Sequence, residues 1–165
     1  MADHDQFEIR DGSRIITFEG NLIATVSSRD RFNKPRWSEF HLYKTTGGTY
    51  VLEKIGRSIV VHMPACPEIV EQLDRFQNQH PGEDPSVGWW FCETCSTKEH
   101  DMTALLIERD RHWVTTSDDP NNIIDELYRR RGNARHLPRL SIDLLEQASR
   151  VDDQIKNAFL VEHLA

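Results

Sequence analysis

The residue pattern predicts an α+β fold: an N-terminal antiparallel β-meander of about four strands, then helices, a Cys/His metal-type loop and a C-terminal amphipathic helix. Three observations carry it. Short β-branched and aromatic runs punctuated by glycine fill the chain up to His62. All three cysteines fall in two short segments, at Cys66 and at Cys92 and Cys95. Beyond Asp119 the apolar residues recur at three-and-four spacing, the period of an amphipathic helix.

Residues Met1 to Phe7 are mostly polar and are expected to fray. Arg14 to Glu19 and Leu22 to Ser27 are strand-forming, and the Gly20-Asn21 pair between them is expected to turn a hairpin. Ser28 to Arg36 is polar, basic and contains Pro35, hence a loop. Trp37 to Lys44 and Thr49 to Ile55 form the next two strands around Thr45-Thr46-Gly47-Gly48, where glycine tolerates positive φ. Gly56-Arg57-Ser58 is expected to bend the second of these before Ile59 to His62 continues it.

Pro67 to Gln77 carries Ile69, Val70, Leu73 and Phe76 on one helical face, with proline in the first turn. The acidic segment from Gly82 to Gly88 is broken by Pro and Gly, and it delivers Trp89-Trp90-Phe91 and the Cys92-x2-Cys95 turn. Thr103 to Glu108 and Arg111 to Thr115 read as strand interrupted at Asp110. Asp119-Pro120 supplies a cap and first turn for a helix expected over Asn121 to Arg131 and closed by Gly132. A last helix from Ser141 to about Leu164 aligns Leu145, Ala148, Val151, Ile155 and Phe159 in one stripe, expected to cover the sheet or else to join an oligomer. The expected organisation is a single domain over 1–165: a sheet in 1–65, a helix plus Cys/His loop in 66–102, and strand with two helices in 103–165.

The cysteines define the candidate chemistry. His62-x3-Cys66 and Cys92-x2-Cys95 together offer one imidazole and three thiolates, the donor set of a closed tetrahedral zinc site. Two thiolates two residues apart point into the same tight turn, whose backbone amides stabilise the sulfur charge. His80 and His100 are substitute ligands for His62. Two other uses of the same residues stay open: small buried thiols with an ordinary strand histidine, or a reactive Cys66 at a helix start, where the dipole lowers a thiol pKa.

Charge and hydropathy narrow the setting. Lys and Arg number 20 against 27 Asp and Glu, a formal net charge of −7. That argues against a general nucleic-acid glue, and the interleaved basic residues argue against a DNA mimic. No apolar run approaches the ~20 residues that cross a bilayer. With an acidic, polar N-terminus and an odd cysteine count, the expected setting is cytoplasmic and reducing, with no membrane partner.

Phe18-Glu19-Gly20-x-Leu22-Ile23, Leu42-Tyr43-Lys44-Thr45 and Gly47-Gly48-x-Tyr50-Val51-Leu52 with Arg57-Ser58 resemble the strand module of the actinobacterial EXLDI proteins. The resemblance covers roughly the first third of the chain and is carried by strand and turn residues; only the Leu127-Tyr128 helix is similar beyond it, the family's name-giving motif is not present as such, and the cysteines lie outside it. It implies the strand architecture and an actinobacterial or phage-like setting, and no mechanism.

No Walker loop, G-x-S-x-G, H-E-x-x-H or dinucleotide fingerprint is present. Glu108, Asp110 and His112 alternate along the strand-like segment, a pattern suited either to a divalent metal in a small hydrolase or nuclease or to the wet face of a sheet. Arg129, Arg130, Arg131, Arg135 and Arg139 form a basic cluster: helix-dipole complementarity at the end of the expected helix, or a phosphate-contacting patch joined by the Arg29 to Arg36 loop and by Trp37 for stacking. The expected function is a non-enzymatic, zinc-stabilised binding or accessory protein contacting a protein or a nucleic-acid-containing complex.

Overall fold

The computed structural model describes residues 4–29, 35–63, 66, 90–91, 95 and 106–164. Strand β1 (Asp5–Asp11) pairs antiparallel with β2 (Arg14–Ser27), turning through Gly12 at φ 59°. The expected fraying therefore does not extend to Phe7, whose ring lies 5.5 Å from Phe18 and 4.7 Å from Tyr43. The hairpin signal is Asp11-Gly12, and Gly20-Asn21 is no turn, because β2 runs through it. Gly20 pairs with Thr45, and a Cβ on it would stand 2.2 Å from the Lys44 carbonyl oxygen. The missing side chain lets two backbones approach.

Strands β3 (Arg36–Thr45) and β4 (Tyr50–Ser58) form the expected hairpin, with Gly48 at φ 89° in its turn. β5 (Val60–His62) does not prolong β4 in the same sheet. It lies between β6 (Trp90–Phe91), parallel to it, and β7 (Leu106–Ile107), antiparallel, in a small sheet of its own. β8 (Arg111–Ser117) then pairs with β4, giving the antiparallel order β1-β2-β3-β4-β8. The main sheet curls, so that the Gly12 amide donates to the His112 carbonyl at 2.8 Å and the Val114 amide to Asp11 Oδ1 at 3.2 Å.

Helix α1 (Pro120–Leu127) starts where Asp119 accepts from the Asn121 amide, but it stops four residues short of the expected end. Tyr128 leaves in an extended conformation, and Arg129 to Arg131 become strand β9, paired across a Gly132 turn with β10 (Ala134–His136). The arginines thus do not end a helix, and dipole complementarity does not explain them. The last helix is also two: α2 (Arg139–Ser149) and α3 (Asp153–Leu164). The break falls at Asp152, whose carboxylate caps α3 through the Ile155 amide while accepting from Tyr50 and Lys44, and it leaves Val151 67% exposed rather than in the stripe. The rest of the stripe does cover the sheet. Ile123 and Ile124 of α1, Leu144 and Leu145 of α2 and Ile155 of α3 pack on Phe40, Leu42 and Leu52. The opposite face holds Ile9, Tyr43 and Val51 with Phe7 and Phe18. The helix expected over 67–77 lies outside the described residues. None of the described helices is long and apolar enough to cross a membrane.

Candidate metal centre

The small sheet places the one convergent ligand group among the described residues. His62, Cys66 and Cys95 are all buried, and one ligand atom from each lies within 4.8 Å of the others. His62 stands at the end of β5, its Nδ1 3.4 Å from Cys66 Sγ. Cys66 is held there by its amide, which donates to the Met63 carbonyl at 2.9 Å. The Met63 amide in turn donates to Cys95 Sγ at 3.3 Å, which stabilises sulfur charge. Cys92, the fourth expected ligand, and the substitutes His80 and His100 lie outside the described residues.

The other ring nitrogen of His62 is also committed. Nε2 lies 3.2 Å from Glu108 Oε2. Glu108 arrives because its amide donates to the Val60 carbonyl, which extends the β5–β7 ladder by one bond. Its carboxylate also accepts from Arg36 Nη2 at 2.6 Å and from the Ser58 hydroxyl at 3.4 Å. Burial alone would raise this carboxyl's pKa, but the hydrogen bonds from His62 and Arg36 and the charge of Arg36 outweigh it and bring it to about 2. An ionised carboxylate only accepts, so Nε2 carries the proton of this contact, and in the neutral ring Nδ1 is the nitrogen whose lone pair is left to face Cys66. That division of roles fits a histidine that ligates a metal.

Glu108, Asp110 and His112 do not assemble in the way their alternation suggests. Residues 108–110 are not strand; they link β7 to β8. Glu108 serves His62, whereas Asp110 pairs with Arg57 at 2.9 Å and His112 sits opposite Ile55 with Nδ1 buried and without a hydrogen-bond partner. Burial lowers the His112 pKa, and Arg57, Arg10 and Arg109 lower it further against Asp110.

Beside the metal centre, and sharing His62 and Glu108 as wall, opens a cavity of about 780 Å³. Of the expected basic cluster it gathers Arg129, Arg139 and Trp37, with Arg36 from the start of β3. It leaves out Arg130, Arg131 and Arg135, exposed on β9 and β10, where Arg135 packs 3.9 Å over the Tyr128 ring. Arg57, Arg109, Arg111 and Trp113 complete its polar wall. Nothing local in the sequence marks these four, since they come from β4, the β7–β8 link and β8 and meet only when the strands pair. No family model, curated protein or solved structure matches the chain.

Proposed function

We propose that this chain is a non-enzymatic binding or accessory protein in which a structural zinc ion, held by His62, Cys66, Cys92 and Cys95, fastens the segments around the small sheet to one another. The partner is a protein or a nucleic-acid-containing complex, met in the cytoplasm of an actinobacterial or phage-like setting. The observation that carries the proposal is the buried convergence of His62, Cys66 and Cys95, with Nδ1 of His62 3.4 Å from Cys66 Sγ. Around tetrahedral zinc, with bonds of about 2.3 Å to sulfur and about 2.0 Å to nitrogen, N and S ligands stand about 3.5 Å apart. The 3.4 Å between His62 and Cys66 has that spacing. A Cys3His set closes the coordination sphere, which suits a structural role and leaves no position for a substrate.

Elemental analysis of the purified protein tests this. The wild type is expected to carry about one zinc per chain, and Cys66→Ser, Cys92→Ser and Cys95→Ser each to lose most of it. A metal-free wild type, or Cys66→Ser with full zinc, overturns the proposal.

A further inference from the structure

We infer that the arginine-lined cavity beside the metal centre binds single-stranded nucleic acid, its phosphates on the guanidinium groups and a base stacked on Trp113. The inference rests on the proposed reading of the chain as a binding protein and names the class of its partner.

Charge is the first argument. Arg36, Arg57, Arg109, Arg111, Arg129 and Arg139 line one cavity, with Glu108 as its only carboxylate among the described residues, in a chain whose formal net charge is −7. Glu108 is already held by His62 and Arg36, and Arg57 and Arg139 have acidic neighbours in Glu39, Asp110 and Asp143. Arg111 and Arg129 have no ion-pair partner among the described residues, and Arg129 stands near enough to Lys54 to lower that lysine's pKa, which burial also lowers. Among the described residues the wall is arginine without lysine, and the planar guanidinium fork matches phosphate with two parallel hydrogen bonds.

The positive surface continues outward along the β9–β10 hairpin. There Arg130 stands directly opposite Arg135, whose guanidinium also lies 3.4 Å from Asp125 and over the Tyr128 ring. A polyanion leaving the cavity passes over this hairpin. A lone phosphate or a small anion does not reach it.

Aromatic surface is the second argument. Trp113 is 51% exposed, and its ring carbons lie 3.5 and 3.7 Å from where a Gly56 side chain would begin. The ring thus lies against β4 at Gly56, half-exposed, and lines the cavity. The Trp37 indole projects from the opposite face of the sheet, where its Nε1–H donates to Glu39 at 3.1 Å and the Arg29 guanidinium lies 4.5 Å over its ring. An exposed indole among guanidinium groups is a surface on which a base stacks while phosphates are neutralised. The site is concave, so it admits a flexible strand, whereas a duplex keeps its bases stacked on each other and presents a convex backbone. An acidic peptide would satisfy the arginines but has no flat ring system for Trp113.

Fluorescence anisotropy with labelled oligo(dT) and oligo(U) of about 15 nucleotides tests this, against a duplex of equal length and labelled polyglutamate. The probes are titrated into wild type, Arg111→Glu/Arg129→Glu, Trp113→Ala and Trp113→Phe, each checked for zinc content and cooperative melting. Single strands are expected to bind at least about tenfold more tightly than duplex, weakening with salt as phosphate contacts do. The double charge reversal is expected to abolish this, Trp113→Ala to weaken it about 5- to 150-fold, and Trp113→Phe to retain most of it. Equal binding of duplex or polyglutamate, or wild-type affinity in folded Trp113→Ala, overturns the inference. Zinc-loaded protein that binds no oligonucleotide overturns it while leaving the metal proposal intact, and metal-free protein that binds single strands does the reverse.

Discussion

His62 Nε2 lies 3.2 Å from the Glu108 carboxylate, 46 residues away in sequence, so the buried ring is oriented by a charge from another segment. Removing that charge while keeping the shape isolates its effect. In Glu108→Gln the amide still fills the space between His62, Arg36 and Ser58, but His62 becomes a weaker ligand. Zinc affinity measured by competition with a chromogenic chelator is expected to fall about 10- to 100-fold. Unchanged affinity would mean that Glu108 does not tune the ligand.

Two levels of stability follow from the two sheets. Among the described residues the core of the small sheet is Val60, Cys66 and Cys95 with Met63 against them, and its strands are two or three residues long. Strands that short do not persist without another fastening. Chelation is therefore expected to speed hydrogen exchange at Val60, His62 and Glu108 while Leu42 and Leu52, at the centre of the main sheet, keep their protection. Equal loss of protection in both sheets would refute a local role for the metal.

The parts of this architecture legible in the sequence are those whose signal is local. Gly47-Gly48 announces the β3–β4 turn, Asp119-Pro120 announces α1, and the spacing of His62, Cys66 and Cys95 announces a convergence that the fold supplies. Two departures from the local signal share one cause, that a residue's local propensity is outweighed by a distant neighbour. Gly20 looks like a turn until Lys44 lies against it; the α2–α3 stripe looks continuous until Asp152 is drawn into the sheet by Tyr50 and Lys44. Arg129 to Arg131 look like a helix end because helix and hairpin both finish on glycine, and periodicity does not separate the two. The cavity was illegible for the same reason, being assembled from single residues on separate strands.

Gly20 gives a sharp test of that account. In Gly20→Ala the new Cβ would meet backbone atoms of Lys44 and Thr45, at 2.2 and 2.8 Å, which cannot rotate away as a side chain could. β2 must shift from β3, although alanine is ordinarily the better residue in regular structure. A loss of about 2–4 kcal/mol in urea unfolding, or failure to fold, is expected. A stability equal to the wild type would show that the approach at Gly20 is not required.

Asp152 ties the corner of the two helices to the sheet. Its Oδ1 accepts from Tyr50 at 2.9 Å and from the Ile155 amide at 2.9 Å, and its Oδ2 from Lys44 at 2.9 Å. Burial alone would raise the pKa of this carboxyl, but the Ile155 amide, Lys44 and Tyr50 outweigh it and hold it below the ordinary aspartate value. A carboxyl with a lower pKa folded than unfolded stabilises the fold above its unfolded pKa, near 3.8, and loses that contribution as pH falls through its lower folded value. Asp152→Asn is therefore expected to cost about 1–3 kcal/mol at pH 7, where a charged acceptor is replaced by a neutral one. The gap between wild type and variant should narrow steadily as urea melts are taken from about pH 5 down to about pH 2. If it stays constant over that range, the carboxylate charge is not what joins α3 to the sheet, and the shape of the side chain alone accounts for the break between the helices.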